Sequence, residues 1–168
     1  MRSFAEVRHE EWIAAAPAVV RSQFADLDHH IRANVHPKLS FEVLHRDTET
    51  ARYVQHVTLL GIRQRDVFER RFGADGTMTD TSVEGFNKDG SLHFRFAERQ
   101  VEGRDGTLVT ITVKLPLPPV IGRLIRPLLE SQVRREVRAA VAEDKNDIEV
   151  RGYRPGSAAR VNPQPVAA

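Results

Sequence analysis

Apolar and polar positions alternate with a period of two through the middle of the chain and give way to helical spacing near both ends. From Ala5 to Ala14, Val7, His9, Glu11 and Ile13 alternate with Arg8, Glu10 and Trp12, which predicts a first strand. Pro17 follows three alanines, and proline suits a first helical turn because its missing N–H has no partner there to lose. Val19, Val20, Phe24 and Leu27 give that helix an apolar side. Asp26 to Asn34 reads as a second short helix ending before His36-Pro37.

From Leu39 to Leu115 the texture is β-branched and aromatic, as in Phe41, Val43, Tyr53, Val54, Val57, Leu59, Val67, Phe68 and Phe72. About six strands in meander order are expected. Asp75-Gly76, Asp89-Gly90 and Asp105-Gly106 predict hairpin reversals, since both residue types tolerate positive φ. Gly61 marks a bulge or a boundary between strands. Leu92, Phe94 and Phe96 share one face of a strand, opposite His93, Arg95 and Ala97, so the aromatic face should point inward.

Near the C-terminus the apolar stripe changes side. Ile121, Leu124, Ile125 and Leu128 cluster on one face, and Val133, Val137, Ala140, Val141 and Ile148 on another, rotated by roughly 150° at ~100° per residue. Pro127 lies at the transition, which predicts a short helix near Pro119 to Arg126 and a separate longer one running to about Glu149. The whole reads as a single α+β domain over 1–153. A tail, 154–168, is rich in Pro, Ala, Gly and Ser and is expected to be disordered.

Composition narrows the function classes. With 168 residues, 40% hydrophobic and 29% charged, the chain is an ordinary soluble size and mix, and no apolar run approaches the ~18 residues of a membrane span. The N-terminus MRSFAEVRHEEW lacks the apolar centre of a secretory signal, so a cytoplasmic location is expected. A net charge of +2 does not call for nucleic acid, and none is expected as a partner. The absence of cysteine excludes disulfides, a thiolate nucleophile and a cysteine-held iron–sulfur cluster. Phosphate loops, G-x-S-x-G elbows and H-E-x-x-H segments are also absent. Arg63, Arg65, Arg70 and Arg71 read as a charged hairpin surface, protecting an edge or meeting an anionic partner.

Two groups of residues carry chemistry. Asp144 falls within the apolar stripe of the last helix, where an ionised carboxylate needs a partner. It either reaches an arginine or a backbone donor, or faces a cavity with an altered pKa as acid, base or metal ligand. Asp26-x-x-His29-His30 places three polar side chains on one side of a helical turn, with His36 following. Two imidazoles and a carboxylate suffice for zinc or non-haem iron.

The order strand, two short helices, antiparallel meander and long helix, with IAAAPAVV and FADLDHH at the start and PPVIGRLIRPLL before the final helix, resembles the START-like helix-grip superfamily (SRPBCC), which includes polyketide cyclases and lipid-transport proteins. The resemblance covers about Ala5 to Tyr153. It implies a curved antiparallel sheet of about seven strands wrapped on the C-terminal helix, with a hydrophobic cavity between them for a lipid, quinone or polyketide-like molecule. Trp12, Phe94, Phe96, Val137 and Val141 would line that cavity, and no cofactor is expected. Whether a reaction is catalysed and how many copies associate stay open. A second similarity is to the catalytic domains of Rieske-type ring-hydroxylating oxygenases, whose D-x-x-H-x(4,5)-H segment and terminal-helix carboxylate hold iron. Asp26 and His29 match its start, His36 or His30 stands for a further histidine and Asp144 for the carboxylate. Six residues separate His29 from His36, and starting instead from His30 restores five but breaks D-x-x-H. This alternative implies a metal-dependent oxygenase-like or cyclase-like enzyme with non-haem iron or zinc on His29, His30, His36 and Asp144.

Overall fold

The computed structural model describes residues 3–156. Strand β1 (Phe4–Ile13) leads into helices α1 (Pro17–Ala25) and α2 (Leu27–Arg32). Strands β2 (Ser40–Arg46), β3 (Thr50–Leu59), β4 (Ile62–Phe72), β5 (Met78–Gly85), β6 (Ser91–Val101) and β7 (Arg104–Pro116) follow, and helix α3 (Gly122–Glu149) closes the fold. All seven strands form one antiparallel sheet in the order β1-β7-β6-β5-β4-β3-β2, so only β1 departs from meander order, by pairing with β7. The expected fold class stands: a curved sheet wrapped on a long C-terminal helix, with two short helices after strand 1.

Alternation builds the buried face. Along β7, Thr107, Val109, Ile111, Val113 and Leu115 all point inward, and Ala5 and Val7 of β1 join them. Leu129, Val133, Val141 and Ile148 of α3 pack into the same core, as do Val20 and Phe24 of α1. Phe24 meets Phe94 and Phe96 edge-on, with centroids 6.1 and 5.5 Å apart.

Three local expectations change. The β6–β7 hairpin turns at Glu102-Gly103, not at Asp105-Gly106, which lie within β7. Glu102 and Gly103 have φ of 50° and 75° and join the paired residues Val101 and Arg104, as a two-residue hairpin loop requires. Gly106 is instead a close approach, where a Cβ would stand 2.6 Å from the Trp12 ring. The β3–β4 reversal uses the same device at Leu60-Gly61, with φ of 51° and 74°.

Pro127 does not divide the last helix. It sits inside a continuous α3, past the first turn, and removes the backbone bond that an N–H there would have made to the Arg123 carbonyl. The apolar stripe around it faces outward, leaving Leu124 at 83% and Leu128 at 60% exposure. Arg70 is the third change. It shares the inward face of β4 with Gln64, Asp66 and Phe68 and is only 4% exposed, so it is no part of a charged surface. The tail expected over 154–168 lies, from residue 157, outside the described residues. No helix among the described residues is long and apolar enough to cross a membrane.

Candidate functional site

Helix α2 presents its histidines through its caps. Asp26 caps the N-terminus by accepting from the His29 N–H at 3.0 Å, and its own carbonyl accepts from His30 Nδ1 at 2.8 Å. At the other end Asn34 takes φ of 47°, and the Val35 N–H returns to the His30 carbonyl. That closure turns the chain back on itself, so the His36 ring lies tilted beside His30 with centroids 5.0 Å apart.

Both rings meet α3. His30 Nε2 lies 3.0 Å and His36 Nε2 3.3 Å from Asp144 Oδ1, which Gln23 Nε2 also approaches at 3.1 Å. Each histidine has its other nitrogen committed: His30 Nδ1 donates to the Asp26 carbonyl, and His36 Nδ1 stands 2.7 Å from Glu143 Oε2. Two Nε2 atoms and one carboxylate oxygen therefore face one another, joined either by protons on the Nε2 atoms or by a cation between them. The three ligand atoms lie within 4.8 Å of one another and all three residues are buried. The two Nε2–Oδ1 distances, 3.0 and 3.3 Å, are compatible with a cation. Bonds of about 2.0–2.1 Å hold ligand atoms roughly 3–3.5 Å apart, and a ligating histidine ordinarily gives its remaining N–H to a carbonyl or carboxylate, as both do here.

In the protonated form the charges support one another. Burial opposes the charge on His36, but Asp144 and then Glu143 outweigh it and raise its pKa to about 9. Burial likewise works to raise Asp144, yet hydrogen bonds from His30 and His36 bring it down to about 2.

Of the expected site residues, His30, His36 and Asp144 come together. His29 goes elsewhere: its Nε2 contacts Asp147 Oδ2 at 2.7 Å, and its ring packs on Tyr153. Helical geometry explains the split, since adjacent residues project about 100° apart. Asp147 is the buried residue missed in the sequence, one turn after Asp144 on the same face, and Gln23 bridges the two carboxylates at 3.1 Å each. Gln23 Oε1 has no hydrogen-bond partner among the described residues.

Two adjoining spaces open between sheet and α3. The first, of 140 Å³, is lined largely by Leu59, Phe68, Leu92, Val113, Leu115, Val133 and Val137. The second, of 100 Å³, has Phe24, Phe94, Ile111 and Val141 on its walls together with His30, His36 and Asp144. They share Leu39, Gln55, Leu92, Val137 and Ala140. Phe94, Val137 and Val141 therefore line the cavity. Phe96 packs on Phe24 beside it, and Trp12 lines neither space. Trp12 is held elsewhere, donating its indole N–H to the Arg99 carbonyl at 3.0 Å with the Arg104 guanidinium over its ring.

Two further polar groups reach the cavity. Arg70 holds both oxygens of Asp80 at 2.6 and 2.7 Å and donates to the Phe24 carbonyl, while the Tyr53 hydroxyl donates to Asp80. Burial, then the Asp80 charge, push Tyr53 well above its ordinary range. Asp66 accepts from Ser82 Oγ and from the backbone and side-chain nitrogens of Asn87. Gly85, at φ of 119°, leaves no room for a Cβ against Arg65 and Asp66, and this brings Asn87 over the carboxylate.

Solved structures now place the architecture. The chain superposes on a Thermus thermophilus protein, TTHA0849, with a TM-score of 0.75 and 22% identity, covering 88% of this chain and 99% of that one. The fold is the START-like helix grip. The Zhui aromatase/cyclase from a Streptomyces species matches with a TM-score of 0.67 at 17% identity over 89% of this chain and 99% of that one. A START superfamily protein from Mycobacterium smegmatis gives 0.67 at 15% over 85% and 98%. No protein-family model matches the sequence, and no curated protein matches it.

Proposed function

We propose that this chain binds a small apolar or amphipathic molecule in the two-lobed cavity between the sheet and α3. The observation that carries the reading is the first lobe, whose walls come from four strands and from α3, with carbon side chains on most sides. An apolar space of about 150 Å³ accepts a benzene-sized guest, so lobes of 140 and 100 Å³ suit a compact ring system or part of a lipid or quinone tail. That one protein of this fold is an aromatase/cyclase supports a ring-bearing ligand. Native mass spectrometry of the purified chain tests the reading: a co-purifying hydrophobe of defined mass is expected, and is lost in Ala140→Phe, which fills the wall shared by both lobes. Retention of the same mass by a folded Ala140→Phe would refute it.

A second reading is favoured by His30, His36 and Asp144, which fit a divalent cation with two histidine nitrogens and one carboxylate oxygen. Zinc or ferrous iron suits that donor set and, when bound, would polarise a ligand oxygen. The chain's own residues do the rest. The Asp26 carbonyl and Glu143 fix the two rings, Gln23 steadies Asp144, and the apolar lobe would seat the rest of a ligand. Metal analysis after dialysis against zinc or ferrous ion should find about one equivalent in the wild type and little in His36→Ala or Asp144→Ala. Equal retention by all three folded proteins would exclude this site.

A further inference from the structure

The second lobe has an unusual economy of polar groups. Arg70, Asp80 and Tyr53 reach it, but they are bound to one another and to the Phe24 carbonyl. Gln55 is the neutral exception on its wall. A ligand's polar atoms in this lobe therefore meet chiefly the two Nε2 atoms and Asp144. The other face of the same space is apolar and continuous with the first lobe through Leu92, Val137 and Ala140. Three protein ligands leave two positions on a five-coordinate and three on an octahedral zinc or iron ion, enough for a two-oxygen chelate.

We infer that the ligand is a flat ring system carrying two neighbouring oxygen donors, a catechol or a hydroxyketone, whose oxygens chelate a cation held by His30, His36 and Asp144 while its ring fills the adjoining apolar lobe. This rests on the metal reading above and names the ligand class for it. Chelation supplies the polar recognition that the self-satisfied Arg70–Asp80–Tyr53 group withholds. Adjacency of the oxygens matters because two donors must reach one ion. The hydroxyl proton displaced on chelation leaves to solvent, and no bond of the ring changes.

The test compares 2,3-dihydroxynaphthalene with its 2,7 isomer, which has the same rings and hydroxyl count but oxygens too far apart to chelate. The full chain is titrated anaerobically with each, metal-free and with one equivalent of cobalt(II), by calorimetry and by the visible absorption of the cobalt. Cobalt should tighten the 2,3 isomer by about tenfold or more and change the visible bands, and should leave the affinity of the 2,7 isomer unaltered. His36→Ala should remove the cobalt-dependent gain for the 2,3 isomer. The wild-type comparison stands without that variant should it fail to fold. If both isomers bind and cobalt, seated at the histidines, favours neither, the chelate inference falls and the cavity reading survives. If cobalt binds equally to a folded His36→Ala, the metal reading falls with it. If neither isomer binds under any condition, the cavity reading for ring ligands falls too.

Discussion

Replacing Asp144 by Asn keeps the side chain's size and removes its charge from the centre of the cluster. Asp144 is 4% exposed and its Oδ1 receives Gln23, His30 and His36. Without the carboxylate, His36 keeps only Glu143 for its charge, and breaking a buried ion pair from one side costs about 3–5 kcal/mol. The pH dependence follows from the two shifts. His36 is raised from 6.5 to about 9, so its contribution is complete below about pH 6.5 and disappears as pH rises through 9; over that span it amounts to about 3 kcal/mol. Asp144 is lowered from 3.8 to about 2, so its contribution is complete above 3.8 and is lost as pH falls through 2. Urea unfolding with EDTA present, followed by far-ultraviolet circular dichroism, should thus show the wild type ahead of Asp144→Asn by about 3 kcal/mol between pH 4 and 6.5. The m-value should be equal, and the gap should narrow at pH 10. A gap below about 1 kcal/mol, or one unchanged from pH 6 to pH 10, would refute the charge assignment.

Other outcomes test the frame around the site. Asp80→Asn weakens the partner of a buried guanidinium and should cost about 3 kcal/mol or more in urea unfolding, whereas the Arg70→Met/Asp80→Leu pair should recover most of it; equal losses would show that the ion pair is not the cause. Pro127→Ala restores one helical hydrogen bond in α3 and should raise stability by about 1 kcal/mol or more, while an unchanged midpoint would mean that the helix is interrupted there. Gly103→Ala should cost about 1 kcal/mol because of its positive φ, and Asp105→Ala little; the reverse order would return the β6–β7 turn to Asp105-Gly106.

Much of the fold was legible because strand alternation and helical spacing are local properties. The turn at Glu102-Gly103 escapes a local reading for the same reason: Glu-Gly-Arg-Asp-Gly holds two candidate pairs, local preference favours Asp-Gly, and only the pairing of β6 with β7 selects the other. Arg70 could have been placed by period two, since it stands on the face of Phe68, but a run of arginines reads first as surface. The burial of Asp144 was legible from the helix; its grouping with His30 and His36 came only through the Rieske-type resemblance, since local spacing says nothing of contacts between residues 114 apart. Proximity of His36 depends on the closure at Asn34, which shows in the sequence only as an Asn before Val-His-Pro. Asp147 was one helical turn from a residue already singled out, and its spacing of three was the available signal.

The claim that a ligand occupies the grip is tested most directly by intermolecular nuclear Overhauser effects from 2,7-dihydroxynaphthalene to the methyl groups of the metal-free protein. Saturable contacts to Val113, Val133 and Val137 are predicted, since these line the apolar lobe. Contacts confined to the exposed Val120, Leu124 and Leu128, with the cavity methyls silent, would contradict it.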